Sequence, residues 1–277
     1  MLRPLLGAAL IAGSVVSPAW SSSPAIEAAK VLIPHRAVYE LKLKNASDRA
    51  GIEGMTGRMV YEFSGSACAG FTTNFRFVTR VDMGEQMRLT DQQTTTFENA
   101  NAGEFRFETK SFTDEQLDKQ VAGSAKEDAN ALKVALAKPD TREVQLTPSK
   151  FPTQHMLEVI DNARKGNRFF EQRIFDGSED GDQSLLTSTI IGAQQQPKPD
   201  DADAGQAGEF AKKPYWPVTM AYYNDDGKTD ELPVYRMSFK LYDNGITRDL
   251  TMDYGDFVLS GTLTKLELLD KGQETCR

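Results

Sequence analysis

The sequence predicts an all-β protein with one main helix, in which a large curved antiparallel sheet wraps around that helix. From His35 onward, segment after segment alternates apolar and polar residues with period two, which is typical of strands that bury one face. One stretch, at about 153–165, instead has apolar residues at helical spacing. About a dozen or more strands in one sheet approach the limit for an open sheet, so we expect the sheet to curl.

The segments 36–44, 59–63 and 70–81 show the clearest alternation. In RAVYELKLK, Tyr39, Leu41 and Leu43 share one face. The charged residues that alternate with them, Glu40, Lys42 and Lys44, share the other. Three such segments in a row predict a meander of antiparallel strands.

Further alternating segments follow before the helix, separated by Asp, Asn, Gly or Pro residues that favour turns. They are EQMRLT (85–90), TTTFE (94–98), EFRFETKSF (104–112), DKQVAG (118–123), LKVALA (132–137) and REVQL (142–146). The region 113–138 also permits two helices. Gly123 interrupts the helical pattern and Leu132, Val134 and Leu136 alternate, so the sequence favours strands there.

The helix is predicted from FPTQHMLEVIDNARKGN at 151–167. Thr153 follows Pro152 as a possible N-cap, and Gly166 provides a C-terminal stop. The apolar residues at helical spacing are Met156, Leu157, Ile160 and Ala163.

Alternation resumes after the helix and continues to the end of the chain. The segments are RFFEQRIF (168–175), SLLTSTIIGA (184–193), VTMAYY (218–223), PVYRMSFKLY (233–242), ITRDLTMDY (246–254) and FVLSGTLTKLELL (257–269). The last three read as consecutive hairpins. Residues 194–213 are rich in Asp, Gln, Ala and Gly, so we predict a mobile insertion within a single domain at 26–277.

The first 25 residues have the layout of a secretory signal peptide. Arg3 precedes a short apolar run at 5–16, and small residues permit cleavage after Ala19 or Ala25. We therefore expect an exported protein, and no later stretch has the roughly 20 apolar residues of a spanning helix. The chain's net charge is −8, and losing Arg3 makes the mature chain more acidic, which disfavours binding to nucleic acid.

Cys68 and Cys276 are the only two cysteines in the sequence. In an oxidising compartment two such residues tend to form a disulfide, which here would tie the last strand to an early one. Two free buried thiols are the alternative.

Two stretches, IPHRAVYELKL (33–43) and FPTQHMLEVIDNARKGNRFFEQRIFDGSED (151–180), resemble signatures of the cell-envelope integrity protein B family of Gram-negative periplasmic proteins. The signal peptide, the early cysteine and the C-terminal cysteine follow the same order, so the resemblance spans nearly the whole mature chain. It implies a β-spiral of about fourteen strands around one helix, with Cys68 bonded to Cys276. It also implies a role in envelope maintenance without known enzymatic activity, and a periplasmic partner with tetratricopeptide repeats.

Among the polar residues in these family stretches, we single out His35, Arg36, His155 and Asp176. We assign them structural roles, with His155 expected to hydrogen-bond to a strand backbone. The two histidines alone make a poor zinc site, because zinc usually takes three or four protein ligands. We therefore predict no metal, no cofactor and no catalytic residue, with a histidine site as the minor alternative.

Three loops mimic known binding motifs. Residues 176–187 start like a calcium loop, but Thr187 stands where the bidentate Glu belongs, so a solvated loop is favoured over a weak calcium site. NDDGKTD at 224–230 lacks the first glycine of a phosphate loop. In KKPYWPV, Tyr215 and Trp216 suit partner contact if they are exposed, or a strand anchor if they are buried.

We therefore hypothesise a non-enzymatic periplasmic protein that supports envelope integrity through protein contacts. The alternative is a carrier or sensor of an apolar ligand, such as a lipid or a lipoprotein acyl chain, on the concave face of the sheet. The observation that distinguishes the two hypotheses is whether the 153–165 helix fills the concave face or leaves it open. A hydrolase would be supported instead by a pocket that holds two close acids.

Overall fold

The computed structural model describes residues 24–201, 203–224 and 232–270. The strands are β1 (His35–Ala46), β2 (Gly54–Ser66), β3 (Gly70–Asp82), β4 (Met87–Asn99), β5 (Glu104–Thr113), β6 (Gln116–Asp128), β7 (Ala131–Lys138), β8 (Arg142–Leu146), β9 (Phe169–Ile174), β10 (Leu185–Ile191), β11 (Trp216–Asn224), β12 (Tyr235–Leu241), β13 (Thr247–Asp253) and β14 (Phe257–Leu268). The α-helices are α1 (Pro24–Ala29) and α2 (Pro152–Lys165), and two 3₁₀ helices span Asp48–Ala50 and Ala204–Phe210.

All fourteen strands form one antiparallel sheet, in the order β8-β7-β6-β5-β4-β3-β2-β1-β14-β13-β12-β11-β10-β9. The centre of the sheet is the pairing of the first strand with the last, in which His35 faces Leu268. The edges are β8 and β9, which α2 joins in sequence, so the sheet curls without closing. This architecture confirms the predicted all-β fold with one main helix.

The region in which helices were the alternative is β-structure: β5, β6 and β7 cover most of 113–138. The predicted segments 85–90 and 94–98 are in fact one strand, β4. Asp91 separates those two segments and is of a residue type that favours turns, but it lies inside β4 and binds Arg76 of β3 through two hydrogen bonds of 2.8 and 3.0 Å. The short helix α1 was not predicted.

Helix α2 begins one residue earlier than the sequence suggested. Its N-cap is Phe151 and Pro152 is its first residue, where a missing N–H costs nothing. The Gln154 side chain accepts a hydrogen bond of 2.9 Å from the Phe151 amide. The helix ends at Gly166 in the left-handed conformation (φ 77°), as predicted.

Buried apolar residues form two cores. The main core joins α2 to the strands around β1 and β14, and a smaller one lies at the β5–β7 end and is built around Phe105, Phe107, Phe151 and Phe175. Gly177 (φ +72°) packs directly on the smaller core, because an added Cβ would lie 2.4 Å from Cγ of Phe107. The Asp-Gly-Ser turn therefore needs glycine at its centre.

Part of the predicted mobile insertion at 194–213 packs against the sheet: Asp203, Ala204 and Ala207 are buried, whereas most of 194–200 is exposed. The mobility of the exposed part stays a prediction. Arg248 of β13 is fully buried, and its guanidinium donates to Asp201 at 2.7 and 2.8 Å and to Asp203 at 2.7 Å. Its Nε donates to the Tyr242 hydroxyl at 2.8 Å, and Lys240 binds Asp201 at 2.7 Å. These two carboxylates bring an acidic segment into the fold, because they neutralise a buried cation.

Candidate functional site in the concave face of the sheet

The concave face of the sheet retains a cavity of about 680 Å³ beside α2. This volume lies in the range of about 300–1,000 Å³ that is usual for small-molecule sites. Strands from both halves of the sheet line it, together with the first turn of α2 and the 176–179 turn. The helix therefore fills only part of the concave face.

The two walls of the cavity differ in polarity. One wall, from β1, β2 and β11–β13, is mainly apolar and aromatic, and includes Tyr39, Met59, Met220, Tyr222, Met237, Phe239 and Leu250. The other wall, from β3–β5, carries Phe75 but otherwise uncharged polar side chains: Thr73, Gln92, Thr94, Thr96, Thr109 and Ser111. Thr94 and Thr109 are cross-strand neighbours whose hydroxyls lie 3.0 Å apart. A molecule with an apolar part and an uncharged polar part suits both walls.

Glu98, at the end of β4, holds the N-terminus of α2. Its carboxylate accepts hydrogen bonds from the amides of Thr153 at 2.7 Å and Gln154 at 2.9 Å. These amides are among those that a helix N-terminus leaves without partners, so Glu98 replaces an N-cap side chain. Burial raises the pKa of this carboxyl to about 7.

His155 lies in the first turn of α2 and lines the cavity with only 4% of its surface exposed. Neither ring nitrogen has a hydrogen-bond partner among the residues that the structure describes. The expected bond to a strand backbone is therefore wrong, and the ring lies instead 5.8 Å from the Phe170 ring. Burial lowers the pKa of His155 to about 4, so the imidazole is neutral near pH 7.

His35 and Arg36 begin β1 and have the contacts of structural residues. The His35 ring is buried and its Nδ1–H donates to the Ile33 carbonyl at 2.7 Å. Arg36 lies on the outer face and pairs with Glu62 and Glu267 on the two neighbouring strands. His35 and Arg36 therefore hold the central strand β1 in place on both of its faces.

Asp176 and the loop that follows it serve the local structure. The Asp176 carboxylate accepts a hydrogen bond of 2.9 Å from the Ser178 amide. Asp180 pairs with Lys119 at 2.9 Å, and the loop's other aspartate, at 182, pairs with Arg142. Over the described parts of the chain, no group of three or more His, Cys, Asp or Glu side chains is placed to hold a metal ion.

Tyr215 and Trp216 are only 3% and 7% exposed. They are therefore not an exposed surface for a partner, as one hypothesis required. Trp216 is the first residue of β11 and belongs to the main core, in agreement with the anchor alternative. The Tyr215 ring lies 5.0 Å from the Arg248 guanidinium, which explains its burial beside the packed part of the 194–213 segment.

Cys68 takes part in a disulfide in the structure. Cys276 lies outside the described residues, so the pairing of the two cysteines stays a prediction. Residues 1–23 of the predicted signal peptide (1–25) and most of the NDDGKTD turn also lie outside the described residues.

The polar wall and Glu98 were not predicted. Gln92, Thr94, Thr96 and Glu98 are two residues apart and therefore share one face of β4. The apolar residues of β4, Met87, Leu89 and Phe97, lie on the other face, so alternation alone would direct the polar series outward.

Comparison with known proteins agrees with this architecture. No helix in the described ranges is long and apolar enough to cross a membrane. A crystal structure of a β-barrel-like protein of a domain of unknown function from Brucella abortus matches with a TM-score of 0.83 and 52% identity, covering 86% of this chain and 99% of that one.

The curated relative is the cell envelope integrity protein EipB of Brucella abortus (strain 2308). It is 53% identical over 243 residues, which cover 87% of this chain and 86% of the relative. The EipB-like family model matches residues 26–270. The chain therefore belongs to the EipB-like family.

Proposed function

We propose that this protein supports the integrity of the cell envelope as a non-enzymatic periplasmic protein that holds an apolar ligand on the concave face of its sheet. Family membership and the name of the Brucella relative support the envelope role. The layout of a signal peptide at the N-terminus supports the periplasmic location.

The observation that carries the ligand-binding role is the cavity that α2 leaves open. Three methionines and several aromatic rings form its apolar wall, and methionine side chains adapt readily to the shape of a bound molecule. If these residues served only as core, their side chains would be expected to fill the space between them, because protein interiors are close-packed.

An apolar fluorescent probe tests this role. We expect N-phenyl-1-naphthylamine to bind the delipidated protein with increased fluorescence, and Thr94→Trp to weaken binding at least tenfold because the indole would occupy the cavity. Thr95→Trp is the matched control, since Thr95 is the next residue of β4, is exposed and bonds to Asn74 on the other face. Equal binding by both variants would place the probe elsewhere and contradict the proposal.

A second candidate function, contact with a periplasmic protein such as one with tetratricopeptide repeats, is favoured by an exposed apolar pair. Phe169 of the edge strand β9 and Ile190 of β10 are cross-strand neighbours, and each is 57% exposed. Large apolar residues that meet on a surface favour a protein contact.

We expect the Phe169→Ser/Ile190→Ser double variant to lose most of the partner protein that wild type retains after cross-linking in its own envelope fraction. Leu117→Ser is the control, because Leu117 is similarly exposed (52%) but lies on β6. The measurement is quantitative mass spectrometry of the cross-linked proteins, and equal recovery with all three chains would exclude this surface.

A further inference from the structure

Both ring nitrogens of His155 are buried without a hydrogen-bond partner among the described residues. Three side chains have buried polar atoms without a partner among the described residues: His155, Thr189 and Asn244. Of these, His155 and Asn244 line the cavity, and Asn244 already uses its side-chain oxygen to accept from the Ile246 amide at 3.1 Å. Of these two cavity residues, only His155 lacks every hydrogen bond that its side chain can form.

A neutral imidazole has one N–H donor and one nitrogen acceptor. A ligand group satisfies both only if it can accept and donate, as hydroxyl groups do. A carboxylate can only accept, so it would leave the second nitrogen without a partner. The pairing therefore favours hydroxyl groups over an acid.

The charges around the cavity also favour a ligand group without a negative charge. Lys119 is the only cationic side chain among the described residues that line it, and Lys119 pairs with Asp180 at 2.9 Å. The positive end of α2 is already bound by Glu98. A buried phosphate or carboxylate needs a cation or several donors, and neither is free here.

The volume suits a ligand with one chain. At about 30 Å³ for each water-sized group, a cavity of about 680 Å³ holds roughly twenty non-hydrogen atoms. One acyl chain with a small polar head has about this number. The apolar wall suits the chain, and the threonine wall suits the head.

We propose that the cavity binds a neutral single-chain lipid with a hydroxyl-bearing head, such as a monoacylglycerol, and that the head hydrogen-bonds to His155. This inference rests on the ligand-binding role proposed above and names its ligand class. Ligand binding would supply the partners that the buried imidazole lacks in the empty protein.

The first test uses the wild-type chain. Monopalmitoylglycerol, palmitate and palmitoyl lysophosphatidylglycerol carry the same acyl chain and compete in turn for bound N-phenyl-1-naphthylamine. We expect monopalmitoylglycerol to displace the probe at a concentration at least tenfold lower than either anionic lipid. Equal or better displacement by palmitate or the lysophospholipid would overturn the neutral-head assignment.

The second test removes the two ring nitrogens of His155. We expect His155→Phe to weaken monopalmitoylglycerol binding about tenfold, as loss of hydrogen bonds to the head predicts, while probe affinity stays within about twofold. The melting temperature of the empty variant should stay the same or rise, because two unpartnered buried nitrogens are removed. His155→Gln restores one donor and one acceptor and should recover much of the lost affinity.

Thr189→Val is the matched control, since it removes a buried hydroxyl that also lacks a partner but does not line the cavity. An equal loss of lipid affinity in Thr189→Val and His155→Phe would overturn the role of His155. Failure of the probe to bind wild type would instead defeat the ligand-binding role itself, so the two failures are distinguishable.

Discussion

Replacing Arg248 by methionine is expected to lower the free energy of unfolding by about 3–5 kcal/mol. The guanidinium is fully buried, and Asp201 and Asp203, the two carboxylates that neutralise it, are themselves buried or nearly so. Methionine has a similar length but no charge, so the variant would leave the buried Asp203 without a cation and Asp201 with Lys240 alone. The measurement is the urea midpoint and slope at pH 7.

The control and a second variant separate charge from packing. Arg236→Met changes an exposed arginine of β12 whose nearest contact with Asp253 is 3.8 Å, and we expect less than about 0.5 kcal/mol. Adding Asp203→Asn to Arg248→Met removes the uncompensated charge and should recover part of the loss. Coincident unfolding curves for wild type and Arg248→Met would show that the network contributes no net stability.

Acid should affect the same network. The hydrogen bonds from Arg248 hold the pKa of Asp201 at about 2, below its ordinary value of 3.8. Because the folded pKa is lower, this stabilisation is present above pH 3.8 and is lost as the pH falls towards 2. The variant without Arg248 should lose most of that acid-dependent contribution, since only Lys240 would still lower the pKa of Asp201.

Replacing Glu98 by glutamine is expected to change how stability depends on pH between 5 and 8. The folded pKa of about 7 exceeds the ordinary 4.5, so the folded protein binds the proton more tightly and its stabilisation is lost as the pH rises through that interval. Relative to wild type, Glu98→Gln should therefore gain about 2–3 kcal/mol between pH 5 and pH 8.

The difference between the two proteins is the quantity to measure, because the histidines act in the opposite direction. Burial lowers the pKa of His155 to about 4 and also lowers that of His35, so their contributions increase as the pH rises. Glu104→Gln is the control, since its exposed carboxylate pairs with Lys126. Parallel stability profiles for wild type and Glu98→Gln would show that Glu98 does not titrate in this interval.

The strands were predictable because one face of the sheet is buried along most of its length, which enforces period two in the sequence. The prediction was wrong where a polar residue has a partner on another strand. Asp91 resembles a turn residue until Arg76 of β3 is placed beside it. The packing of part of 194–213 was hidden for the same reason, since Arg248 follows Asp203 by 45 residues.

The candidate site, like the fold, was only partly predictable from the sequence. The polar series on β4 is visible in the sequence, but its inward orientation is not, because the apolar residues Met87, Leu89 and Phe97 lie on the other face of that strand. The missing partners of His155 are not visible, because they depend on every element that surrounds α2 in three dimensions. Sequence patterns therefore indicate which residues share a face, and the packed structure indicates which face points inward and which residues on it still lack a contact.

The pairing of β1 with β14 determines the order in which this sheet can assemble. Neighbours in β1–β8 and in β9–β14 follow one another along the chain, so each half can form from local hairpins. The centre of the sheet instead joins His35 to Leu268 and has to wait until almost the whole chain is present. Contacts of such long sequence separation slow folding, so the joining of two preformed halves is expected to limit the folding rate.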